Sequence, residues 1–159
     1  MKTIDMASAA RVASRVELCG IRLVELSFSM KKLVAQGAPL EPSFDVDCVP
    51  MPAEKGSINV GCGFNFKIRS AGEEVAESQI KYLIQYTLRG EDAPSDEDLV
   101  AFSAANGAYH AWPFVRETIY GLTSRMGFQP FVLPVLSFHI PKVKPAEPAL
   151  APESPGKKE

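Results

Sequence analysis

The chain has 159 residues, of which 46% are hydrophobic and 23% charged, and its formal net charge is -2 at pH 7. This length and hydrophobic content fit one globular domain with a buried core. The charge argues against a nucleic-acid-binding protein, because neutralising phosphates requires a concentrated excess of Lys and Arg. The basic clusters, Lys31-Lys32 and Lys157-Lys158, are too short for that role.

The cysteines and the hydrophobic segments indicate a soluble protein of a reducing cytosol. Cys19, Cys48 and Cys62 form no C-x-x-C pair and have no His at metal-ligand spacing, so we expect neither a disulfide framework nor a metal site. Cys48 and Cys62 fall on apolar strand faces and are interpreted as small buried residues. No apolar run is long enough to span a bilayer, and charged residues interrupt the N-terminal segment where a signal peptide would be apolar.

The N-terminal third predicts a lead-in followed by a strand. Residues 6–18 are rich in helix formers and favour either a short amphipathic helix or an extended segment. From Arg22 the hydrophobic period becomes two, which is typical of a half-buried strand that ends at residues 36–39. Its predicted apolar face consists of Val24, Leu26, Phe28 and Met30, and Leu23 is placed on the opposite face with Glu25 and Ser27.

Three further strands complete a predicted antiparallel sheet. Phe44, Val46 and Cys48 alternate with Asp45 and Asp47 in the second strand. The clearest alternation runs from residue 58 to residue 68, and after a short turn a partner strand returns from residue 80 to residue 88. Strands joined by a short turn pair antiparallel, which predicts a sheet with one apolar face. We expect the ribbon of these last two strands to expose long edges to another subunit.

The C-terminal part predicts two helices and a tail. Ser95 is a candidate N-cap with Asp98 at the third helical position, and Asn106-Gly107 is expected to end that short helix. Pro113 is expected to open the long helix, and Gly127 to end it before Pro130. Residues 131–138 form a short apolar segment, and the Pro-rich residues 141–159 predict a disordered tail. The predicted units are therefore a lead-in at 1–18, one domain at 19–140 and the tail.

The titratable side chains give little support to catalysis. His110 is the one candidate for an acid–base pair, with Glu117 as its partner, but a lone His without an orienting group seldom marks an active site. In contrast, the large aromatic side chains exceed what one sheet and one helix need for their own packing. This surplus predicts a surface used between subunits or by a partner.

Three segments resemble the SecB family of export chaperones. The resemblance as a whole covers roughly residues 15–138. The long helix is entered through Trp112-Pro-Phe-Val-Arg-Glu117 and left through Ser124-Arg-Met-Gly-Phe-Gln-Pro130, as in that family. The acidic run Gly90-Glu-Asp-Ala-Pro-Ser-Asp-Glu-Asp98 is most similar to the SecB-like chaperones found beside toxin–antitoxin modules. The resemblance implies an α+β fold, in which a long helix packs on one face of a four-stranded antiparallel sheet, and a homotetramer built as a dimer of dimers.

The resemblance also implies a function, which is an ATP-independent holdase that binds unfolded client polypeptides and needs no cofactor. The family's hydrophobic client grooves fall on the crossover after the first strand, on the second strand, and on the long helix with its exit loop. Carried onto this sequence, the implied client-binding residues are Leu33, Val34, Leu40, Phe44, Val46, Tyr109, Trp112 and Phe128.

Two departures from the family concern its partner and its tail. The family docks the SecA motor on acidic residues, and Glu25 and Glu77 fall near such positions, but Ser29 and Gln79 stand where further acids are expected. The family's second helix is replaced by residues 139–145, which contain two prolines. The sequence therefore leaves two hypotheses. The protein is either a chaperone for preprotein export or a chaperone for a dedicated client such as an antitoxin. The alternatives are an oligomeric interaction module without chaperone turnover and, less favoured, a small-molecule enzyme.

Overall fold

The structure is a computed structural model that describes residues 4–35, 37–128 and 131–136. The predicted turn at Pro130 and the predicted tail at 141–159 lie outside the described residues, and the division into three units stays a prediction. The helices and strands in chain order are α1 (Met6–Ala13), β1 (Val16–Met30), β2 (Glu41–Met51), β3 (Ser57–Ser70), β4 (Glu73–Leu88), α2 (Asp96–Phe102), a π-helical turn (Ser103–Gly107) and α3 (Ala108–Arg125).

The four strands form one sheet in the order β1-β4-β3-β2, and each neighbouring pair is antiparallel. Along β3 every second residue from Ile58 to Ile68 is buried, and the same alternation runs along β4 from Ile80 to Tyr86. The helices cover this apolar face, where Val115 and Ile119 of α3 pack into the core. The predicted α+β fold with a helix on one face of an antiparallel sheet is therefore confirmed.

The edges of the sheet differ from the prediction. The β3–β4 ribbon lies in the centre of the sheet, so its edges are paired and the free edges belong to β1 and β2. The expectation that the ribbon exposes long edges was wrong because β1, which is first in sequence, pairs with β4 across the sheet rather than with β2. A hydrophobic pattern shows which residues are buried, but it does not show which strands are neighbours.

Strand β1 begins at Val16 rather than Arg22 and contains two irregularities that change its faces. Leu23 pairs with Tyr82 and Leu26 with Ile80, and Val24 is the extra residue between Leu23 and Glu25. A bulge inserts one residue and so reverses the alternation on one side of it. Leu23 therefore shares the helix-covered face of the sheet with Leu26, and its predicted placement on the opposite face with Glu25 was wrong.

The N-terminal helix α1 resolves the choice between a helix and an extended lead-in. Asp5 caps it by accepting hydrogen bonds from the backbone N–H groups of Ala7 and Ser8, at 2.9 and 3.3 Å. Helix α1 packs against α2, where Arg11 forms an ion pair with Asp98 at 2.6 Å. The hydrogen bond from the Arg11 guanidinium lowers the pKa of Asp98 and favours its charged form.

The long helical segment starts earlier than predicted and is continuous from Asp96 to Arg125. The predicted N-cap is confirmed, since the Ser95 Oγ accepts the backbone N–H of Asp98 at 3.2 Å. Pro113 lies inside α3 rather than at its start. A proline provides no N–H to the carbonyl four residues earlier, and here that carbonyl belongs to Tyr109, which lies on an exposed part of the helix. Gly127 ends the helix with a φ of 76°, as predicted.

Gly107 was expected to break the helix, but its backbone is helical, with a φ of -59°. A Cβ at this position would lie 2.8 Å from both the Cys62 Sγ and the Val60 Cγ1. Such a distance is too short for a carbon contact, so glycine is needed here because the helix backbone rests on β3. The residue that resembled a stop signal is therefore a point of close approach between helix and sheet.

Cys48 and Cys62 are joined by a disulfide, which contradicts the expectation of two separate buried thiols. They face each other directly across β2 and β3, and their Cα atoms are 4.2 Å apart. The two residues are separated by 14 positions in sequence. Their spacing carried no signal because proximity here depends on the β2–β3 register. Cys19 is exposed on β1 and is not part of this bond.

Candidate functional site

Trp112 is the centre of an aromatic cluster between α3 and the sheet. Its ring centroid lies 5.1 Å from Phe44 and 6.1 Å from Phe64, and Phe44 lies 5.5 Å from Phe66. All three pairs are tilted rather than stacked flat, which is a favourable arrangement for aromatic rings. Trp112 is only 4% exposed, whereas Phe44 is half-buried because it lies on the edge strand β2. We call this the Trp112 cluster, and Val46 also packs against it from β2.

A second cluster lies next to the first, at the C-terminal end of β3. Phe128, which follows α3, is buried with Ile68 and Val75, and Val34 and Leu40 from the β1–β2 connection pack against them. We call this the Phe128 cluster. It adjoins the Trp112 cluster along β3, because Phe66 belongs to one and Ile68, two residues further on the same face, to the other. A buried apolar layer therefore extends along β3 from one cluster to the other.

The structure brings together six of the eight residues that the resemblance singled out. Phe44, Val46 and Trp112 lie in the first cluster, and Val34, Leu40 and Phe128 lie in the second. Leu33 and Tyr109 are not packed into either cluster, and they are 91% and 63% exposed. A large apolar side chain exposed to this degree is available to another molecule.

The segment after α3 is fixed beside Trp112 by two hydrogen bonds that the sequence did not predict. The Trp112 Nε1 donates to the Pro134 carbonyl at 2.9 Å. The Phe131 N–H donates to the Thr123 Oγ1 at 3.2 Å, and that hydroxyl donates to the Ile119 carbonyl at 2.8 Å. Leu133 is fully buried between these anchors. Thr123 follows Ile119 by four residues and so lies on the apolar side of the helix. A polar residue on that side was the one sequence signal that could have indicated these hydrogen bonds.

His110 contacts Tyr86 rather than Glu117, the candidate partner named from the sequence. Its Nδ1 is 2.8 Å from the Tyr86 hydroxyl, and Tyr86 packs edge-on against Phe102 with the ring centroids 5.1 Å apart. Burial lowers the pKa of His110 below its usual 6.5 and raises the pKa of Tyr86. Both shifts favour the neutral forms of the two groups. This pair is a buried polar contact that ties α3 to β4.

The two candidate docking residues lie on the opposite face of the sheet, and each forms an ion pair with a lysine. Glu25 Oε2 is 2.7 Å from Lys81 Nζ, and Glu77 Oε2 is 2.9 Å from Lys31 Nζ. The side chains are exposed, so each pair contributes little to stability. The paired lysines do, however, offset the negative charge that these carboxylates would present to a basic partner.

A cavity of about 700 Å³ lies away from both clusters, between the β2–β3 turn and the loop that follows β4. Its lining includes Glu54, Lys55 and Glu91, and none of the eight predicted client-binding residues.

In the part of the chain that the structure describes, no three His, Cys, Asp or Glu side chains are arranged to hold a metal ion. Among the described helices, none is long and apolar enough to cross a membrane.

Comparisons with known proteins find relatives among SecB-like chaperones, whereas no protein-family model matches the chain. The SecB-like chaperones Rv1957 and MT2006, from two strains of Mycobacterium tuberculosis, are each 28% identical to it over alignments that cover 83% of both chains. A similar solved structure is Rv1957 in complex with a ChAD peptide from the Rv1956 HigA1 antitoxin. It matches with a TM-score of 0.71 and 27% sequence identity, over 83% of this chain and 97% of that one.

The burial of His110 predicts a loss of stability on acidification. The folded state binds a proton on His110 less readily than the unfolded state does, so the stabilising effect is present above about pH 6.5 and is lost as pH falls below it. Urea unfolding followed by Trp112 fluorescence on either side of that pH would measure this loss. We expect His110→Asn to lose less stability than the unmodified protein over that interval. A matched His139→Asn variant removes the titration of the other histidine, and equal losses in all three proteins would contradict the assignment.

Proposed function

We propose that this relative of the SecB-like chaperones is an ATP-independent holdase, which binds unfolded polypeptides along the surface formed by the Trp112 and Phe128 clusters. The observation that carries the proposal is the gathering of six residues implied by the family in two adjoining apolar clusters, whose members on β2 and on the β1–β2 connection remain partly exposed. Leu33 and Tyr109 add exposed apolar side chains to them. In this proposal, these eight residues together line the client-binding groove.

The chemistry of this groove suits a client without a fixed structure. Unfolded chains offer apolar side chains at irregular spacing, and an aromatic surface accepts many of them because its contacts are not directional. Each contact is weak, but a client that occupies several grooves of an oligomer gains affinity through effective concentration. Holding a client in this way requires no chemical step, so the proposal needs neither nucleotide nor metal.

A dedicated client such as an antitoxin is the first candidate for the bound polypeptide. The support is that Rv1957, which is similar in sequence and fold, was solved with a peptide from an antitoxin. Preprotein export through SecA is the second candidate, since Glu25 and Glu77 lie on the outer face of the sheet. The lysine partners of both carboxylates argue for the first candidate, because a docking surface needs net charge to steer a basic partner.

Self-association follows from the exposed side of β1. Leu18, Leu23 and Leu26 face the same side as the helices, but α3 packs over β2, β3 and β4 and leaves them exposed. Leu23 is 46% exposed. Phe114 of α3 contacts Tyr82 and extends the same apolar surface. We propose that this surface and the free edge of β1 join two copies, and that two such dimers form a cytoplasmic homotetramer.

The holdase proposal predicts suppression of client aggregation. A chemically denatured model client diluted into buffer should remain soluble with substoichiometric amounts of the protein, as measured by light scattering. We expect Leu33→Asp/Tyr109→Asp to require on the order of tenfold more protein for the same effect, because two exposed anchors are lost.

Val49→Asp is the matched control, because Val49 is also an exposed apolar residue of the same sheet but lies on the opposite face. It should suppress aggregation like the unmodified protein. If the unmodified protein gives no suppression, the holdase proposal fails, and an interaction module without chaperone turnover becomes the better account.

The proposed assembly predicts that the unmodified protein is a tetramer by size-exclusion chromatography with multi-angle light scattering. Leu23→Asp/Leu26→Asp should shift it to smaller species, because buried carboxylates would face each other across the contact. Val49→Asp again serves as the control and should keep the assembly intact. A monomeric unmodified protein at micromolar concentration would contradict the proposal.

The choice between a dedicated client and export predicts a different response to charge reversal. Glu25→Lys/Glu77→Lys should leave binding of an antitoxin-derived peptide unchanged, because the two residues lie on the face opposite the groove. Any binding to SecA should be lost in the same variant, as measured by biolayer interferometry. Glu54→Lys/Glu91→Lys carries the same change in net charge at another site and should affect neither interaction. A loss of peptide binding only in the first variant would contradict the proposed groove.

A further inference from the structure

The disulfide between Cys48 and Cys62 lies at the junction of the proposed groove's two sides. Cys48 is on β2, two residues beyond Val46 on the same face, and Cys62 is opposite it on β3. Their Cα atoms are 4.2 Å apart. Cys62 is 1% exposed and Cys48, on the edge strand, is 8% exposed.

The helical layer rests directly on this pair. A Cβ on Gly107 would lie 2.8 Å from the Cys62 Sγ and 3.3 Å from the Cys48 Cβ, so the backbone of the π-helical turn packs against the sulfur site without a side chain between them. That turn continues into α3, which carries Tyr109 and Trp112. The sulfur atoms therefore contact the π-helical turn, which positions the α3 side of the groove. They belong to β2 and β3, which form the other side.

We propose that Cys48 and Cys62 are a reversible thiol–disulfide site that sets the client affinity of the groove. The inference rests on the proposed holdase function, since it concerns the same groove. Both cysteine side chains lie beneath the Gly107 backbone, and reduction removes the covalent link between β2 and β3 at this point.

The oxidised form is the one that binds the client more tightly. In that form β2 is covalently tied to β3, so Phe44 and Val46 are held beside Trp112 before a client arrives. A preorganised surface loses less conformational freedom on binding than a surface that must first be ordered. In the reduced form the edge strand keeps its hydrogen bonds to β3 and its side-chain packing but loses the covalent tie, and part of the binding free energy is spent on ordering it.

A proposed cytosolic location favours a reversible bond over a permanent one. Disulfides of mesophilic cytosolic proteins are usually transient and serve catalysis or redox sensing. The oxidant in this proposal is a hydroperoxide, which is small enough to reach the partly accessible edge strand. The Cys48 thiolate attacks the terminal peroxide oxygen, the O–O bond breaks, and the leaving oxygen takes a proton to give water or an alcohol, which leaves a sulfenic acid on Cys48.

The Cys62 thiolate then attacks the Cys48 sulfur, the S–O bond breaks, and the released hydroxide takes a proton to form water. Two electrons pass from the two cysteines to the peroxide. The reverse step needs a cellular dithiol, which reduces the bond through a mixed disulfide and is itself oxidised to a disulfide.

The test compares two redox forms of the unmodified full-length protein. One sample is treated with hydrogen peroxide and the other with dithiothreitol, both reagents are removed, and alkylation with mass spectrometry verifies the state of Cys48 and Cys62. Binding of a fluorescein-labelled, cysteine-free unfolded client is then measured by fluorescence anisotropy. We expect the oxidised form to bind at least about fivefold more tightly, which is the lower range of coupling between two sites in one protein.

Two variants separate the pair from other effects of oxidation. Cys48→Ala/Cys62→Ala should bind with the same affinity after either treatment. Cys19→Ser should keep the full difference, because Cys19 is exposed on β1 and lies outside the pair. Circular dichroism checks that the double variant is folded, and the comparison of the two forms of the unmodified protein stands without it.

Three results would overturn the redox inference and leave the holdase proposal intact. These are equal affinities of the verified forms, tighter binding by the reduced form, and recovery of Cys48 and Cys62 as unmodified thiols after peroxide treatment. Absence of client binding in both redox forms would overturn the holdase proposal and the redox inference together.

Discussion

The direct contact between the Gly107 backbone and strand β3 determines the arrangement of the helical layer. No side chain separates helix from sheet at this point, and any residue larger than glycine would meet Cys62 and Val60 at 2.8 Å. The π-helical turn lies at the same place, between α2 and α3, so the helix axis is set where it touches the sheet. Trp112 lies just over one helical turn further along α3, so its position above the sheet follows from this contact.

The same contact explains which surfaces remain exposed. Helix α3 packs mainly over β2, β3 and β4, and β1 lies at the far edge of the sheet. The apolar side chains of β1 are therefore left for another copy of the chain, while the half-buried residues of β2 border the aromatic cluster of α3. A layer of helices too narrow for its sheet thus leaves two separate apolar surfaces, one for assembly and one for a client.

The sequence was sufficient for the faces of β2, of β3 from Ile58 to Ile68 and of β4 from Ile80 to Leu88, because these stretches alternate regularly between an apolar and a mostly polar side. It was insufficient for β1, where the bulge at Val24 places Leu23 on the face opposite to the one that a simple period of two predicts. The sequence also failed to predict interactions between residues that are far apart in the chain. The pairing of Cys48 with Cys62 depends on register, and the requirement for glycine at 107 depends on helix-to-sheet distance.

The candidate groove was predicted from a family resemblance rather than from the local hydrophobic pattern. Residues that the resemblance does not single out were therefore missed. Six of the eight residues lie in two adjoining clusters, but Thr123, Leu133 and Pro134 were missed although they fix the segment beside Trp112. Hydrogen bonds to a loop have no hydrophobic period, so only the structure reveals them. The central claim is that the client lies on the helix side of the sheet.

Site-specific photo-crosslinking tests this claim most directly. A photoreactive phenylalanine analogue placed at Leu33 or at Tyr109 would lie on the proposed groove, and the same analogue at Gln79 would lie on the opposite face of the sheet. Irradiation with a bound unfolded client should give crosslinks from the first two positions and none from the third. Crosslinks from Gln79 alone would contradict the proposed groove and would move client binding to the outer face.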